Sequence, residues 1–342
     1  MSPGTAVCND ALSIRDLLKT HGYRTEVFAE YINPCFKNEV KYFRDLKPSS
    51  KDIVLYHYCI GTKEIDNYVN LSGKKTMIYH NITPHGFFEG YSEELVGSLR
   101  KARKDLQKLL PITDRAIADS EYSRKELLEA GFKKTAVLPI IVDFEKYAKV
   151  PQRRMFEDDL TNFLFVGRLA PNKKIENVIK VFYYYQKCIN PKSRLVILGS
   201  YREIELRKYY YLLRGLTEKL GLSNVVFTND VKFEEMVNYY READLFITMS
   251  EHEGFCVPLL ESMYFGVPIV AHNATAIPDT LGSAGVLVNQ KKYLEIAKIA
   301  GQIIENETLR SKIVEGQYKR LKDFSKEKLE NQFLAYISEM RN

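Results

Sequence analysis

The chain of 342 residues has no tryptophan and only five cysteines. The cysteines are scattered and form no Cys-x-x-Cys pair, which argues against disulfides and against a structural zinc site. No apolar run approaches the ~18 residues that a membrane span needs. The start of the chain has no basic residues followed by an apolar stretch, as a secretory signal would. We therefore expect a cytoplasmic protein.

Several catalytic motifs are also absent from the sequence. There is no Gly-x-Gly-x-x-Gly run for a dinucleotide and no Gly-x-Ser-x-Gly elbow of a hydrolase. Gly73-Lys74-Lys75-Thr76 resembles the end of a phosphate-binding loop, but Tyr68 stands where that loop needs its earlier glycine. No Asp-x-Asp pair occurs, so we expect neither a metal nor a bound cofactor.

The composition, 45% hydrophobic and 27% charged, is that of a globular protein, and the length favours two domains. The net charge is +6, and residues 1–155 hold 25 Lys and Arg against 20 Asp and Glu. This excess is too small to indicate a nucleic-acid partner. It suits a partner that carries phosphate, or an anionic membrane surface.

Short β-branched runs alternate with helical patterns throughout, which predicts an α/β fold with parallel, doubly wound sheets. We expect domains at residues 1–150 and 151–322, a linker at about 139–159, and a C-terminal helix within 323–342 that packs back on the first domain. The predicted strands are 25–29, 52–58, 76–80, 115–118, 135–141, 162–166, 194–198, 224–227, 244–248, 267–270 and 285–288.

The first predicted strand of the second domain runs into Gly167-Arg168-Leu-Ala-Pro-Asn-Lys173, followed by an amphipathic helix. Glycine lets a ligand approach the backbone. Arg168 and Lys173 would place two positive charges beside a helix N-terminus, where anions are favoured. This pattern predicts a diphosphate site, although a solvated basic loop is the alternative.

The strongest pattern joins Glu253 and Glu261 through a Gly-Phe-Cys-Val-Pro segment. Pro258 suits the first turn of a helix, which places Glu261 one turn further in. Backbone N–H groups at the helix start can bind phosphate or sugar oxygens, and Glu261 can accept both hydroxyls of a ribose. Two carboxylates with this spacing could also be surface charge.

Together, Gly-Arg-Leu-x-x-x-Lys at 167–173 and Glu-x7-Glu at 253–261 resemble the signature segments of glycosyltransferase family 4. The first half resembles a branch of this family at Gly4-Thr5-Ala6-Val7, Tyr56-His57-Tyr58, Tyr79-His80-Asn81 and Asp119-Ser120-Glu121. The resemblance implies the GT-B fold, which has two facing Rossmann-like domains with C-terminal helices. It also implies a retaining, metal-independent transfer of a hexose from UDP or GDP to a glycan or lipid-linked acceptor of the cell surface.

The resemblance implies roles for individual residues. Catalysis would depend on Glu253, Arg168, Lys173 and His80. The donor would be bound by Gly167, Arg168, Lys173, Val231, Glu253, Gly254, Phe255, Cys256, Val257, Leu260 and Glu261. The acceptor side would comprise Gly4, Thr5, His57, His80 and Ser120. A lone histidine at a strand end is as often structural, and Ser120 could equally cap a helix.

This sequence departs from the family at two positions. Family members have a strand before the segment that corresponds to Pro3-Gly4-Thr5, and the sequence here leaves no room for one. Asn229 stands where the family usually has glycine in the base-binding loop. The first departure makes a catalytically inactive homologue, which binds a nucleotide sugar or a partner subunit, the alternative function.

Residues 95–110 form a basic amphipathic pattern with five cations. Such a helix can lie on an anionic membrane, which would make the protein peripheral on the inner face of the membrane. A helix that packs on a core and exposes a solvated basic face is the simpler interpretation.

Overall fold

The computed structural model describes residues 5–201 and 206–341. The strands are β1 (Val27–Ala29), β2 (Val40–Tyr42), β3 (Ile53–Tyr58), β4 (Lys74–Tyr79), β5 (Arg115–Ala118), β6 (Thr135–Val137), β7 (Thr161–Val166), β8 (Ser193–Leu198), β9 (Val225–Phe227), β10 (Leu245–Thr248), β11 (Ile269–His272) and β12 (Val286–Val288). The α-helices are α1 (Ala6–Thr20), α2 (Ile65–Val69), α3 (Glu93–Leu109), α4 (Glu121–Glu129), α5 (Phe144–Ala148), α6 (Ile175–Cys188), α7 (Arg207–Lys219), α8 (Phe233–Arg241), α9 (Val257–Tyr264), α10 (Ile277–Leu281), α11 (Tyr293–Glu305), α12 (Glu307–Leu321) and α13 (Lys326–Arg341). Short 3-10 helices cover Pro34–Phe36, Phe43–Asp45, His85–Phe88, Leu110–Ile112, Pro171–Lys173 and Lys322–Phe324.

These elements form two compact units. The first unit takes in the described residues up to His85, Glu94–Val142 and those from Phe324 on, and the second takes in Gly86–Glu93 and Asp143–Asp323. The long segments of the two units meet at residues 142 and 143, where the sequence suggested residue 150, and the chain also crosses at 85/86, 93/94 and 323/324. The predicted linker is also not irregular throughout, since α5 lies inside it.

The first unit contains a parallel sheet of four strands in the order β3-β4-β5-β6. The predicted strand at 25–29 does not join this sheet. It forms β1, which pairs only with β2, a three-residue strand that the sequence did not predict. Strand β6 ends at Val137, short of the predicted 141, because Pro139 has no N–H for the ladder.

Helix α13 packs in the first unit. It buries Leu329, Phe333, Ile337 and Met340, which lie at helical spacing on one face. Its last turn is also held by polar contacts, since the Lys74 ammonium donates to the Met340 carbonyl at 2.6 Å. The C-terminal helix therefore covers apolar surface of the unit that contains the four-stranded sheet.

The second unit contains a parallel sheet of six strands in the order β12-β11-β10-β7-β8-β9. The strand order reverses between β7 and β10, which are hydrogen-bonded neighbours. Helix α6 packs on this sheet with its predicted apolar residues, Ile175, Val178, Ile179 and Phe182, fully buried. Open parallel sheets bind ligands outside the carboxyl ends of the strands at such a reversal.

No helix in the part of the chain that the structure describes is long and apolar enough to cross a membrane.

Two glycines allow close backbone approach at the carboxyl ends of β7 and β8. Gly167 has a φ of 154°, and its carbonyl oxygen would lie only 1.9 Å from a Cβ built on Gly199. Only glycine fits at position 199 without moving the β7 loop.

We predict that Gly199→Ala destabilises the protein by about 1–3 kcal/mol, as overpacking does, because the added methyl forces the Gly167 backbone away. The matched control is Gly215→Ala in α7, where a Cβ meets nothing within 4 Å. That substitution should stabilise the helix by roughly 0.5–1 kcal/mol. Urea unfolding of both variants measures the difference, and equal stabilities would contradict the prediction.

Candidate functional site

Two loops meet where the strand order of the second unit reverses. The first loop follows β7 and contains Gly167 to Lys173, and the second follows β10 and leads into α9. The Asn172 amide donates to the carbonyl of His252 at 3.0 Å, and the Glu251 N–H donates to the carbonyl of Asn172 at 2.9 Å. Because β7 and β10 are neighbours, the two predicted signature segments lie side by side.

Lys173 and Glu253 form an ion pair across these loops. The Lys173 ammonium lies 2.5 Å from Glu253 Oε2, and the Glu253 side chain is only 8% exposed. The Glu253 N–H donates to the hydroxyl of Thr275 at 2.8 Å, which fixes the residue from the other side. A cation from one signature segment is therefore paired with a carboxylate from the other.

Further charges surround this pair. Arg168 is exposed on the β7 loop. Lys174 adopts a left-handed conformation with φ 49°, and its ammonium lies 3.6 Å from Glu251 Oε2. Lys291 forms an ion pair with the other oxygen of Glu251. Lys291 was not predicted from the sequence, since it is distant along the chain from both motifs.

Helix α9 begins at the second loop, as predicted. Cys256 precedes it in a left-handed conformation with φ 76°. Phe255 and Cys256 are buried, and the Thr280 hydroxyl donates to the Phe255 carbonyl at 2.6 Å. Leu260 is fully buried, while Val257 is half-buried. This segment therefore faces any ligand mainly with its backbone.

Glu261 lies in α9, as predicted, and is 6% exposed. Its Oε1 accepts from the Tyr147 hydroxyl and its Oε2 from the Tyr240 hydroxyl, each at 2.7 Å. Burial raises the pKa of Glu261, and the hydrogen bonds from Tyr240 and Tyr147 oppose that rise. Neither tyrosine stood out in the sequence, since each reads as an apolar helix position.

The loop after β9 carries Asn229 and the predicted base contact Val231. Asn229 has a φ of 60°, in the left-handed region that favours glycine and that asparagine tolerates best among other residues. Its side-chain oxygen accepts from the N–H of Tyr201. Asparagine therefore replaces the family's usual glycine with little strain, and Val231 is half-buried just before α8.

In the first unit, His57 lies in β3 and His80 directly follows β4. His57 Nδ1 lies 2.8 Å from His80 Nε2, and His80 Nδ1 lies 2.8 Å from an Asp119 carboxylate oxygen. Asp10 of α1 completes the cluster, with one oxygen 3.6 Å from His57 Nδ1. The sequence analysis named both histidines as site residues but not the two aspartates, although Asp119 is the first residue of a quoted motif and Asp10 closely follows another.

Burial and mutual charge set the protonation of this cluster. Burial raises the pKa of Asp10 to about 7, with Asp119 adding and His80 opposing. Burial also lowers the pKa of His57 far below its usual value. Burial disfavours charge on His80 as well, but Asp119 and Asp10 outweigh it and raise its pKa. The cluster therefore joins His80, whose charged form the two aspartates favour, to His57, whose charged form burial disfavours.

Asp10, His57 and His80 present three potential ligand atoms within 4.8 Å of one another. Ligands around a tetrahedral Zn²⁺ at ~2.0 Å would lie ~3.3 Å apart. The two histidine nitrogens are closer than this, at 2.8 Å. A direct hydrogen bond accounts for the contact, so these three side chains form a hydrogen-bonded cluster.

Two other predicted acceptor-side residues begin helices. Thr5 caps α1 by accepting from the Cys8 N–H at 3.4 Å, and Ser120 caps α4 by accepting from the Ser123 N–H at 3.1 Å. Ser120 therefore forms the helix cap that was one of its two predicted roles. Gly4 lies outside the described residues.

The basic pattern at residues 95–110 forms most of α3, and several of its cations have acidic partners. Lys101 pairs with Asp105, Arg103 with Glu126 and Lys108 with Asp66. These pairs offset part of the helix's positive charge, and contact with an anionic membrane stays a prediction.

Comparison with solved structures identifies the fold. Over 98% of this chain and 96% of the other, the fold matches Anabaena HepE, solved in complex with UDP and glucose, with a TM-score of 0.75 at 18% identity. It also matches sucrose-phosphate synthase from Thermosynechococcus elongatus over 84% and 73% of the two chains, with a TM-score of 0.67 at 16% identity. The fold is the GT-B fold of glycosyltransferases.

Residues 148–320 match the family of glycosyl transferases group 1. This stretch is just over half of the chain, so the chain belongs to that family.

Curated relatives carry related names. An uncharacterised glycosyltransferase of Haemophilus influenzae is 27% identical over 72% of this chain and 67% of its own length. The O-antigen chain mannosyltransferase B of Escherichia coli is 26% identical over 42% and 36%. A GDP-mannose-dependent α-mannosyltransferase of Mycobacterium tuberculosis is 25% identical over 59% and 50%. The chain thus spans between about a third and two thirds of these relatives.

The buried carboxyl of Asp10 predicts a pH effect on stability. Its pKa is about 7 in the folded state against 3.8 for a free side chain, so the folded protein binds more protons between these values and loses stability as pH rises. Asp10→Asn removes this loss. The free energy of unfolding of Asp10→Asn, minus that of the wild type, should therefore rise by up to about 4 kcal/mol between pH 4 and pH 8.

Urea unfolding at several pH values measures this difference. The control is Asp159→Asn, whose side chain is fully exposed and whose curve should follow the wild type. A constant difference between Asp10→Asn and the wild type across this range would contradict the assigned pKa.

Proposed function

We propose that the protein is a family 4 glycosyltransferase that transfers a hexose from UDP or GDP to a glycan or lipid-linked acceptor in the synthesis of cell-surface polysaccharide or glycoconjugates. The carrying observation is the Lys173–Glu253 ion pair at the strand-order reversal of the second unit. The names of the relatives that make O-antigen and mannosyl chains support the substrate class.

In this proposal the second unit binds the donor. Lys173 and Arg168 hold the diphosphate, aided by the N–H groups at the start of α9. Glu253 and the backbone from Gly254 to Val257 hold the transferred sugar, Glu261 the ribose, and the loop at Val231 the base. Lys173 would then contact two anions, because it is already paired with Glu253 and would also bind the β-phosphate.

The chemistry requires charge stabilisation on the leaving group. As the bond between the sugar and the β-phosphate breaks, an oxocarbenium-like centre forms and a second negative charge develops on the β-phosphate. Arg168 and Lys173 would stabilise that charge without a metal. Departure and attack on one face of the sugar retain its configuration, and the leaving phosphate takes the acceptor proton. Glu253 orients hydroxyls and does not become glycosylated.

In this proposal the first unit supplies the acceptor side through His57 and His80. The cluster that holds them offers N–H and carboxylate groups suited to sugar hydroxyls. His80, fixed by Asp119, would contact the acceptor on this unit.

A ligand screen tests the proposal. UDP or GDP at about 100 times its Kd should stabilise the protein by ~2.7 kcal/mol, visible as a raised Tm, while ADP should have no effect. With the matching hexose donor, transfer should continue in EDTA and give a product with the donor's anomeric configuration. Failure of both diphosphates to bind would sink the proposal, and binding without transfer or donor hydrolysis would indicate the inactive homologue.

Removing a cation should slow transfer strongly. We expect Lys173→Ala and Arg168→Ala each to lower kcat about 10²–10³-fold, by analogy with a lost oxyanion donor. Lys298→Ala, an exposed lysine on α11, is the matched control and should keep wild-type turnover. Initial rates of nucleoside diphosphate release measure the effect, and unchanged turnover in both cation variants would refute the assignment.

A further inference from the structure

Three helices of the second unit converge on the carboxylate of Glu261. Glu261 lies in α9, Tyr147 in α5 and Tyr240 in α8. Each tyrosine hydroxyl contacts a different carboxylate oxygen at 2.7 Å. Since an ionised carboxylate has only acceptors, both tyrosines donate. We call these two hydroxyls the tyrosine clamp.

The clamp is the main polar support that the structure gives to this carboxylate. Among the described residues, no lysine or arginine forms an ion pair with Glu261, although it is only 6% exposed. A buried charge without a counter-ion is costly unless hydrogen bonds satisfy it. The two hydroxyls therefore stabilise the Glu261 carboxylate, as the Lys173 ammonium stabilises that of Glu253.

The rings that carry the clamp are held by other aromatic residues. Tyr240 is fully buried and stacks on Phe265 with ring centroids 5.5 Å apart. Tyr147 meets Phe233 edge on at 4.8 Å. With both rings fixed, the hydroxyls set the plane and rotation of the carboxylate, which would otherwise turn about its last torsion.

Each carboxylate oxygen has two acceptor positions, and the clamp uses one on each. One acceptor position therefore remains on each oxygen, both in a fixed plane. Two parallel hydrogen bonds to adjacent donors are what such a carboxylate accepts best. Two neighbouring hydroxyls, as on the ribose of a nucleotide, match this arrangement.

We propose that Tyr147 and Tyr240 are positioning residues that hold both oxygens of Glu261 in place to recognise the 2′- and 3′-hydroxyls of the donor nucleotide. The inference rests on the proposed function, in which Glu261 contacts the ribose. It adds that discrimination between ribose and deoxyribose depends on the two tyrosine hydroxyls. A site built to bind a hydroxyl rejects the analogue that lacks it, because its buried polar groups are left unpaired.

The test compares Tyr147→Phe and Tyr240→Phe with the wild type by calorimetric titration with UDP, GDP and their 2′-deoxy forms. Each substitution removes only a hydroxyl and keeps the ring. We expect either variant to bind the ribose form about five- to tenfold more weakly, the effect of one lost hydrogen bond, and the deoxy form within about twofold of the wild type. The ratio of the two affinities therefore falls.

Tyr264→Phe is the matched control, because its ring packs in the same aromatic cluster, 6.0 Å from that of Tyr147. It should leave the ratio unchanged. Thermal unfolding of each variant without ligand reports any effect on the fold separately.

The outcomes are distinguishable. If the wild type prefers ribose and both phenylalanine variants keep that preference, or if they weaken both forms equally, the clamp does not position Glu261 and the inference is wrong. If the wild type and Glu261→Gln bind both forms alike, Glu261 does not contact the ribose, which overturns the inference together with that assignment. If neither UDP nor GDP binds, the proposed function itself fails.

Discussion

The candidate donor site depends on the ion pair between Lys173 and Glu253. β7 and β10 are hydrogen-bonded neighbours where the strand order reverses, so the loops that follow them start side by side. The pair and the Asn172 backbone contacts then join those loops. Burying a carboxylate this deeply is costly unless a cation or hydrogen bonds compensate for it, and for Glu253 the sheet supplies a cation from a segment 80 residues away. The sheet topology therefore brings together opposite charges that are distant along the chain.

The buried acids of the molecule are stabilised in three different ways. Glu253 has an ammonium partner, Glu261 has two tyrosine hydroxyls, and Asp10 and Asp119 share a cluster with two histidines. In the last arrangement burial raises the pKa of Asp10 to about 7. The second unit therefore stabilises its buried acids with one ammonium and two hydroxyls, whereas the first unit groups its buried acids with two imidazole rings.

Local pattern accounts for most of the elements. The helix after Lys174 and the start of α9 at Pro258 follow from apolar spacing and from proline's fixed φ, and both are present. The pattern failed where few residues form an element. Strand β2 has three residues and α5 has five, which is too few for a hydrophobic period to be recognised. Strand β1 lies outside the four-stranded sheet, because the residues of a strand do not indicate which other strand it pairs with.

Each of the two signature segments is contiguous in the chain, so their residue types alone indicated a glycosyltransferase and the GT-B fold. Which groups meet in space depended on the fold. Tyr147 and Tyr240 reach Glu261 from 114 and 21 positions away, and Asp10 meets His57 and His80 from α1, which precedes both histidines in the chain. Such contacts depend on how parallel strands and their helices are ordered in space, which no local spacing of residues encodes.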